Sequence, residues 1–322
     1  MKIKFSMIDK ELLVMGGVFK LLNISFSEPK LRLFGKLRVK RRVKDKTLNF
    51  HERWTYREDQ TQLRLCIFTP QEPINNIPGV LWLHGGGFAL GYPEQAEKYA
   101  KQLISASPCV VVAPDYRRSV EAPYPAALED SYTALMWMKD HAKELGVRDD
   151  QLMVGGDSAG GGLTAALTLF ARDQGEVAIA FQMPLYPMVD DRMMSNSAMN
   201  NKMPVWDSKS NHSAWKVYLG DLFGSHNVPE YAAPARAKDY QNLPPAVTFV
   251  GDLEPFRDET VQYVENLRKA GIPVQFKVFK GCYHAFDQLN PKANVTREAL
   301  TLLVEAYRYA VNHCFAEQKQ LI

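Results

Sequence analysis

Four stretches of this 322-residue chain carry side chains whose types and spacing suit covalent chemistry. The first, Val154-Gly155-Gly156-Asp157-Ser158-Ala159-Gly160-Gly161, contains Gly156-x-Ser158-x-Gly160. A serine hydroxyl is a weak nucleophile unless a base is held beside it. A sharp strand-to-helix turn lifts such a serine off the end of a strand. The turn is strained, so the residues two before and two after must be small, as Gly156 and Gly160 are. The second stretch is His84-Gly85-Gly86-Gly87-Phe88. Three glycines let a loop bring backbone N–H groups close to a bound atom, which in acyl transfer is the oxyanion of a tetrahedral intermediate. A phosphate loop does not fit, because G-x-x-x-x-G-K-[ST] occurs nowhere in the chain. A relaxed G-x-G-x-x-A at Gly160, Gly162 and Ala165 falls inside the helix expected after Ser158 rather than in the turn before one. A dinucleotide site is therefore set aside.

The third stretch is Gly281-Cys282-Tyr283-His284-Ala285-Phe286, just after an expected strand, Val274 to Phe279. Sheets of parallel strands collect their working groups in loops at the strands' C-terminal ends. His284 is the expected base. His51 and His141 fall in regular elements, His212 and His226 in or beside an irregular stretch, and His313 near the C-terminus. The fourth stretch, Val250 to Glu259, offers Asp252, Glu254, Asp258 and Glu259. A carboxylate there would hold the imidazole in the right tautomer and stabilise its charged form, a task open to Asp or Glu.

These groups need a scaffold. Leu48 to Tyr56 and Gln62 to Phe68 alternate apolar and polar residues about Arg57-Glu58-Asp59-Gln60, the pattern of a hairpin. Val80-Leu83, Cys109-Ala113, Ala178-Phe181 and Ala246-Val250 are continuous apolar runs, suited to strands covered on both faces. Gln151 to Gly155 is expected as a short strand before Ser158. Leu163, Ala166, Leu167 and Phe170 after it are spaced as on one helix face. Helices are expected over about 94–106, 126–145, 159–173, 257–270 and 295–312. The alternation predicts an α/β chain: a mainly parallel sheet, helices on both faces, and an antiparallel edge from the hairpin. Residues 188–228, rich in Met, Asn, Ser and Trp, break the alternation and suggest a lid.

Composition narrows the classes. Hydrophobic residues make up 46% and charged residues 23%, enough apolar material for a large core. A net charge of +3 is too small to argue for nucleic acid. Cys66, Cys109, Cys282 and Cys314 are widely spaced with no C-x-x-C, which argues against a zinc site or disulfide framework and for reduced thiols in the cytoplasm. The run Leu12 to Phe19 is short, holds two glycines and follows Asp9-Lys10-Glu11, so an amphipathic helix is expected rather than a leader segment. No apolar run approaches the roughly 20 residues of a membrane span. The basic residues Lys30, Arg32, Lys36, Arg38, Lys40, Arg41, Arg42, Lys44 and Lys46 close the N-terminal stretch. They suit a solvated face better than a binding site for an anionic partner.

Together, His84-Gly85-Gly86-Gly87, Gly156-Asp157-Ser158-Ala159-Gly160-Gly161 and His284 resemble the bacterial hormone-sensitive-lipase-like carboxylesterases of the α/β-hydrolase fold. The resemblance covers roughly residues 60–315 and includes Asp115-Tyr116-Arg117, Pro125-Ala126-Ala127 and Ala233-Pro234-Ala235-Arg236. It implies Ser158 as nucleophile, His284 as base, and N–H groups of Gly86, Gly87 and Ala159 around the oxyanion. Where the family has Asp-Pro-Leu-x-Asp, this chain has Glu254-Pro255-Phe256-Arg257-Asp258. That implies Glu254 as the acid, with Asp252 and Asp258 as alternatives. It further implies a core of 47–187 and 229–322, capped by residues 1–46 and 188–228. The expected activity is hydrolysis of short-acyl esters through an acyl-enzyme, needing no metal or cofactor. The substrate is a small ester, and a homodimer is admitted by the sequence without being required. Amidase, peptidase or deacetylase chemistry could run on the same residues. A receptor that binds small molecules without turnover would be expected to lack Ser158 or His284.

Overall fold

The computed structural model describes residues 4–22, 25–37 and 42–318. Eight strands, β1 (Leu48–Tyr56), β2 (Gln62–Pro70), β3 (Ile77–Leu83), β4 (Val110–Pro114), β5 (Val147–Asp157), β6 (Phe181–Leu185), β7 (Ala246–Gly251) and β8 (Val274–Phe279), form one sheet in the order β1-β2-β4-β3-β5-β6-β7-β8. The hairpin β1–β2 pairs antiparallel from Leu48↔Pro70 to Tyr56↔Gln62, and β2 pairs antiparallel with β4. All later pairings are parallel. This is the predicted antiparallel edge on a parallel sheet.

The helices are α1 (Leu13–Leu21), α2 (Glu28–Gly35), α3 (Glu97–Ala106), α4 (Ala126–Asp140), α5 (Ala142–Leu145), α6 (Ala159–Gln174), α7 (Ser208–Leu219), α8 (Arg257–Lys269), α9 (Phe286–Leu289) and α10 (Asn294–His313). Alternate strand residues face opposite ways, so the continuous apolar runs fill two cores. Leu81, Leu83, Val112, Leu152 and Val154 pack with α4 and α6 through Leu135, Leu163 and Leu167. Val80, Trp82, Val111 and Met153 pack on the other face with α3 and α10 through Tyr99, Leu103, Leu303 and Tyr307.

Two expectations need correction. The third apolar run does not form a strand at Ala178–Phe181, because β6 begins only at Phe181. Gly175 ends α6 in a left-handed conformation (φ 70°), and residues 175–180 are spent returning to the sheet. The true strand contains Gln182 and Pro184, which disguise it. Pro184 leaves out one N–H toward β7, and the strand tolerates this because the flanking N–H groups of Gln182 and Tyr186 donate to the carbonyls of Pro245 (3.0 Å) and Phe249 (2.9 Å) on either side. The helix expected over 126–145 is divided at His141 into α4 and α5.

The N-terminal residues and the 188–228 segment meet. The Phe26 N–H donates to Ser210 Oγ (2.8 Å), Lys216 pairs with Glu28 (2.9 Å), and Phe26 lies against Trp206 with ring centroids 5.9 Å apart. Gly16 of α1 packs against Tyr283 and Pro204. Of the basic residues in the N-terminal cluster, Arg38, Lys40 and Arg41 lie outside the described residues. All four cysteines are buried free thiols. Among the described residues, no helix is long and apolar enough to cross a membrane.

Candidate active site

Ser158 stands between the end of β5 and the start of α6, with φ 58° and ψ −118°, a conformation that non-glycine residues avoid. The strain is held by backbone bonds. The Ser158 N–H donates to the Leu185 carbonyl (3.0 Å), and its own carbonyl accepts from the N–H groups of Gly162 (2.9 Å) and Met188 (3.1 Å). The flanking glycines are sterically required: a Cβ at Gly156 would run into the Gly160 carbonyl, and one at Gly160 into the Leu83 carbonyl.

His284 follows β8, and Glu254 follows β7. His284 Nε2 lies 2.8 Å from Ser158 Oγ, and Nδ1 lies 2.5 Å from Glu254 Oε2. The three side chains are buried, Glu254 completely. A carboxylate only accepts, so Nδ1 carries the proton and Nε2 is left to accept from the serine O–H. Glu254 Oε1 accepts the Gly251 N–H (2.8 Å), which fixes how the carboxylate is turned. The other carboxylates of this stretch are engaged elsewhere. Asp252 accepts the Gly281 N–H (2.7 Å), Asp258 pairs with Arg257 (2.7 Å) and accepts the Ser197 N–H (2.8 Å), and Glu259 accepts the Val189 N–H (2.9 Å). The imidazole is walled by Tyr186 and Phe256, edge-on at 5.2 and 5.0 Å, with Trp206 at 6.3 Å.

The glycine loop leaves β3 beside this group. Gly86, Gly87 and Phe88 have φ of 128°, 60° and 58°. Gly87 has no room for a side chain, because a Cβ there would run into the Trp206 ring and crowd Ala214. The loop is pinned at both ends: Tyr116 Oη donates to the His84 carbonyl (2.7 Å), and the Ser119 N–H donates to the Phe88 carbonyl (2.8 Å). The N–H groups of Gly86, Gly87 and Ala159 donate to no protein acceptor among the described residues, which leaves them available to a ligand. His84 itself is stacked on Tyr116 (4.1 Å), and burial lowers its pKa to about 4, so it is a neutral structural ring.

Sequence reasoning missed a buried polar layer behind the serine. Gln288 Nε2 lies 2.9 Å from Asp157 Oδ2, 3.0 Å from Tyr186 Oη and 3.2 Å from Tyr99 Oη. Tyr99 in turn donates to Asp287 Oδ2 (2.8 Å). Burial, reinforced by the charge of Asp287, raises the Asp157 pKa to about 6. The available signal was position: Asp157 directly precedes Ser158, and Asp287 lies three residues beyond His284.

Similarity to known proteins follows the same residues. Residues 80–288 match the family model described as the alpha/beta hydrolase fold. Esterase LipI of Mycobacterium tuberculosis is 36% identical over 210 residues, a match spanning 65% of this chain and 65% of LipI. Carboxylesterase NlhH of the same organism is 33% identical over 231 residues, 71% of this chain and 72% of that protein. Among solved structures, a bacterial heroin esterase superposes with a TM-score of 0.85 at 29% identity, covering 95% of this chain and 99% of its own.

Proposed function

The chain belongs to the alpha/beta hydrolase fold family, and from that premise we propose that it is a serine carboxylic-ester hydrolase acting on short-acyl esters through an acyl-enzyme. The observation that carries this reading is the unbroken hydrogen-bonded series Ser158–His284–Glu254, with contacts of 2.8 and 2.5 Å, beside a loop with free N–H groups. The similarity to proteins named carboxylesterase and esterase supports it.

In the proposed reaction, Ser158 Oγ bonds to the ester carbonyl carbon while its proton passes to His284 Nε2. The carbonyl π pair moves onto oxygen, where the N–H groups of Gly86, Gly87 and Ala159 receive the charge; each such donor is worth about 3–4 kcal/mol. Glu254 holds the Nδ1–H tautomer and faces the imidazolium that forms. The tetrahedral adduct then collapses, and the alkoxide leaves with the proton from Nε2. Water repeats the sequence on the acyl-serine, giving up its proton to His284 and releasing the acid. In this reading residues 47–187 and 229–322 are the hydrolase core, and residues 1–46 with 188–228 are a cap whose Trp206 and α7 wall the acyl side. The four buried thiols suit a reducing, cytoplasmic setting.

The test is turnover of p-nitrophenyl esters from acetate to octanoate by the wild type and Ser158→Ala, with a serine-directed phosphonate to mark the nucleophile. The expected outcome is a fall in kcat of at least about 10⁴-fold in the variant, fastest wild-type turnover among the shorter acyl chains, and phosphonate on Ser158. Turnover that survives in the variant, or phosphonate on another residue, refutes the assignment.

A further inference from the structure

Seven of the 15 large apolar side chains exposed among the described residues lie between positions 14 and 37. On α1 and its end, Val14, Val18, Leu21 and Leu22 are 75%, 44%, 87% and 62% exposed. Their spacing of i, i+4, i+7 and i+8 sets them on one helix face, opposite the buried Leu12 and Gly16. Surface helices ordinarily turn polar residues outward, yet the one polar residue in α1 is Lys20. The second helix continues the pattern: Leu31 and Gly35 are buried, while Leu33, Phe34 and Leu37 are exposed. Both helices rest on the 188–228 segment, α1 against Pro204 and the approach to α2 against Trp206 and Ser210.

Charge is segregated onto the same stretch. Residues 1–46 hold 13 Lys and Arg against four Asp and Glu, a balance of +9, whereas the whole chain carries +3 and the other 276 residues therefore −6. Lys10, Lys20, Lys30, Lys36, Arg42 and Lys44 are exposed. Two of the four acids are already paired, Glu28 with Lys216 and Asp45 with Lys101.

We propose that this N-terminal face docks the protein on an anionic lipid surface. Exposed leucines and valines enter the headgroup boundary, and the lysines meet lipid phosphates, the composition of a helix that lies in the interface. With nine residues, α1 is about 14 Å long against a hydrocarbon core of about 30 Å, so it rests on the bilayer and does not span it. A second copy of the chain is disfavoured on this face, because a two-fold contact would set +9 against +9. The proposal does not depend on ester hydrolysis and is read by binding alone.

The test is co-sedimentation of the full chain with phosphatidylcholine vesicles, with and without phosphatidylglycerol, at low and high ionic strength. Binding is expected to require phosphatidylglycerol and to weaken with salt. Lys30→Gln with Lys36→Gln should weaken binding about 25-fold, about fivefold for each charge lost. Leu21→Ser should weaken it about tenfold, and both variants should keep the wild-type melting temperature. The lipid and salt dependence of the wild type needs no variant at all. Failure to bind either vesicle at low salt, or binding unmoved by salt and by both variants, would overturn the proposal. So would a solution dimer that Leu21→Ser dissociates, which would make this face an interface between copies.

Discussion

Glu254→Gln isolates what the carboxylate does for the imidazole. Glu254 is fully buried, and its two oxygens have separate tasks: Oε1 accepts the Gly251 N–H at 2.8 Å, and Oε2 accepts from His284 Nδ1 at 2.5 Å. Glutamine is isosteric, so packing is kept, but only one of its terminal atoms can accept. The amide oxygen must stay on the Gly251 N–H, because the alternative sets an NH₂ against a buried N–H. The NH₂ then faces Nδ1 and forces it to accept. The ring proton moves to Nε2, which points at Ser158 Oγ 2.8 Å away and can no longer take a proton from it. Loss of the correct tautomer lowers kcat by about 10⁴-fold, equivalent to about 5.5 kcal/mol of transition-state stabilisation, with KM little changed. Steady-state hydrolysis of p-nitrophenyl butyrate measures it. Asp252→Asn and Asp258→Asn serve as controls, and each should lose less than about tenfold, since neither carboxylate bonds to His284. A loss below about tenfold in Glu254→Gln, or a larger loss in either control, refutes the reasoning.

Asp157 provides a pH test. Burial raises its folded pKa to about 6 from 3.8, so the folded state holds this proton more tightly than the unfolded chain does. Its contribution to stability is present below about pH 4 and lost as pH rises through about 6. Relative to wild type, Asp157→Asn should therefore gain about 2 kcal/mol between pH 4 and 7; urea melts of both proteins across that range would show it, and a flat difference would contradict it. Gly160→Ala should lower stability by about 3 kcal/mol and the melting temperature by about 6 °C, because the new Cβ meets two backbone carbonyls, those of Leu83 and His84. An unchanged melting temperature would mean that the elbow can relax.

Local constraints made much of this legible in the sequence. Gly156, Gly160 and the run Gly85-Gly86-Gly87 announce backbone that other residues cannot adopt, and the coordinates put strain or close approach at these positions. The hairpin and most parallel strands follow from patterning, because a half-buried strand must alternate and a doubly covered one must not. Strand β6 escaped because Gln182 and Pro184 interrupt its apolar run, and the bonds that Gln182 and Tyr186 make to β7 on either side of Pro184 are visible only in the folded sheet.

Other features are not written in any one segment. Asp252, Glu254 and Asp258 are equivalent as carboxylates in one stretch of sequence; which of them meets the imidazole depends on how that stretch is turned against the loop that carries His284, 30 residues beyond Glu254. The basic N-terminal stretch looks like an ordinary solvated face until folding shows Val14, Val18, Leu21 and Leu22 beside it turned to solvent. Periodicity along a chain tells which residues share a face. Whether that face is covered depends on every other element of the fold, and so it is decided only in three dimensions.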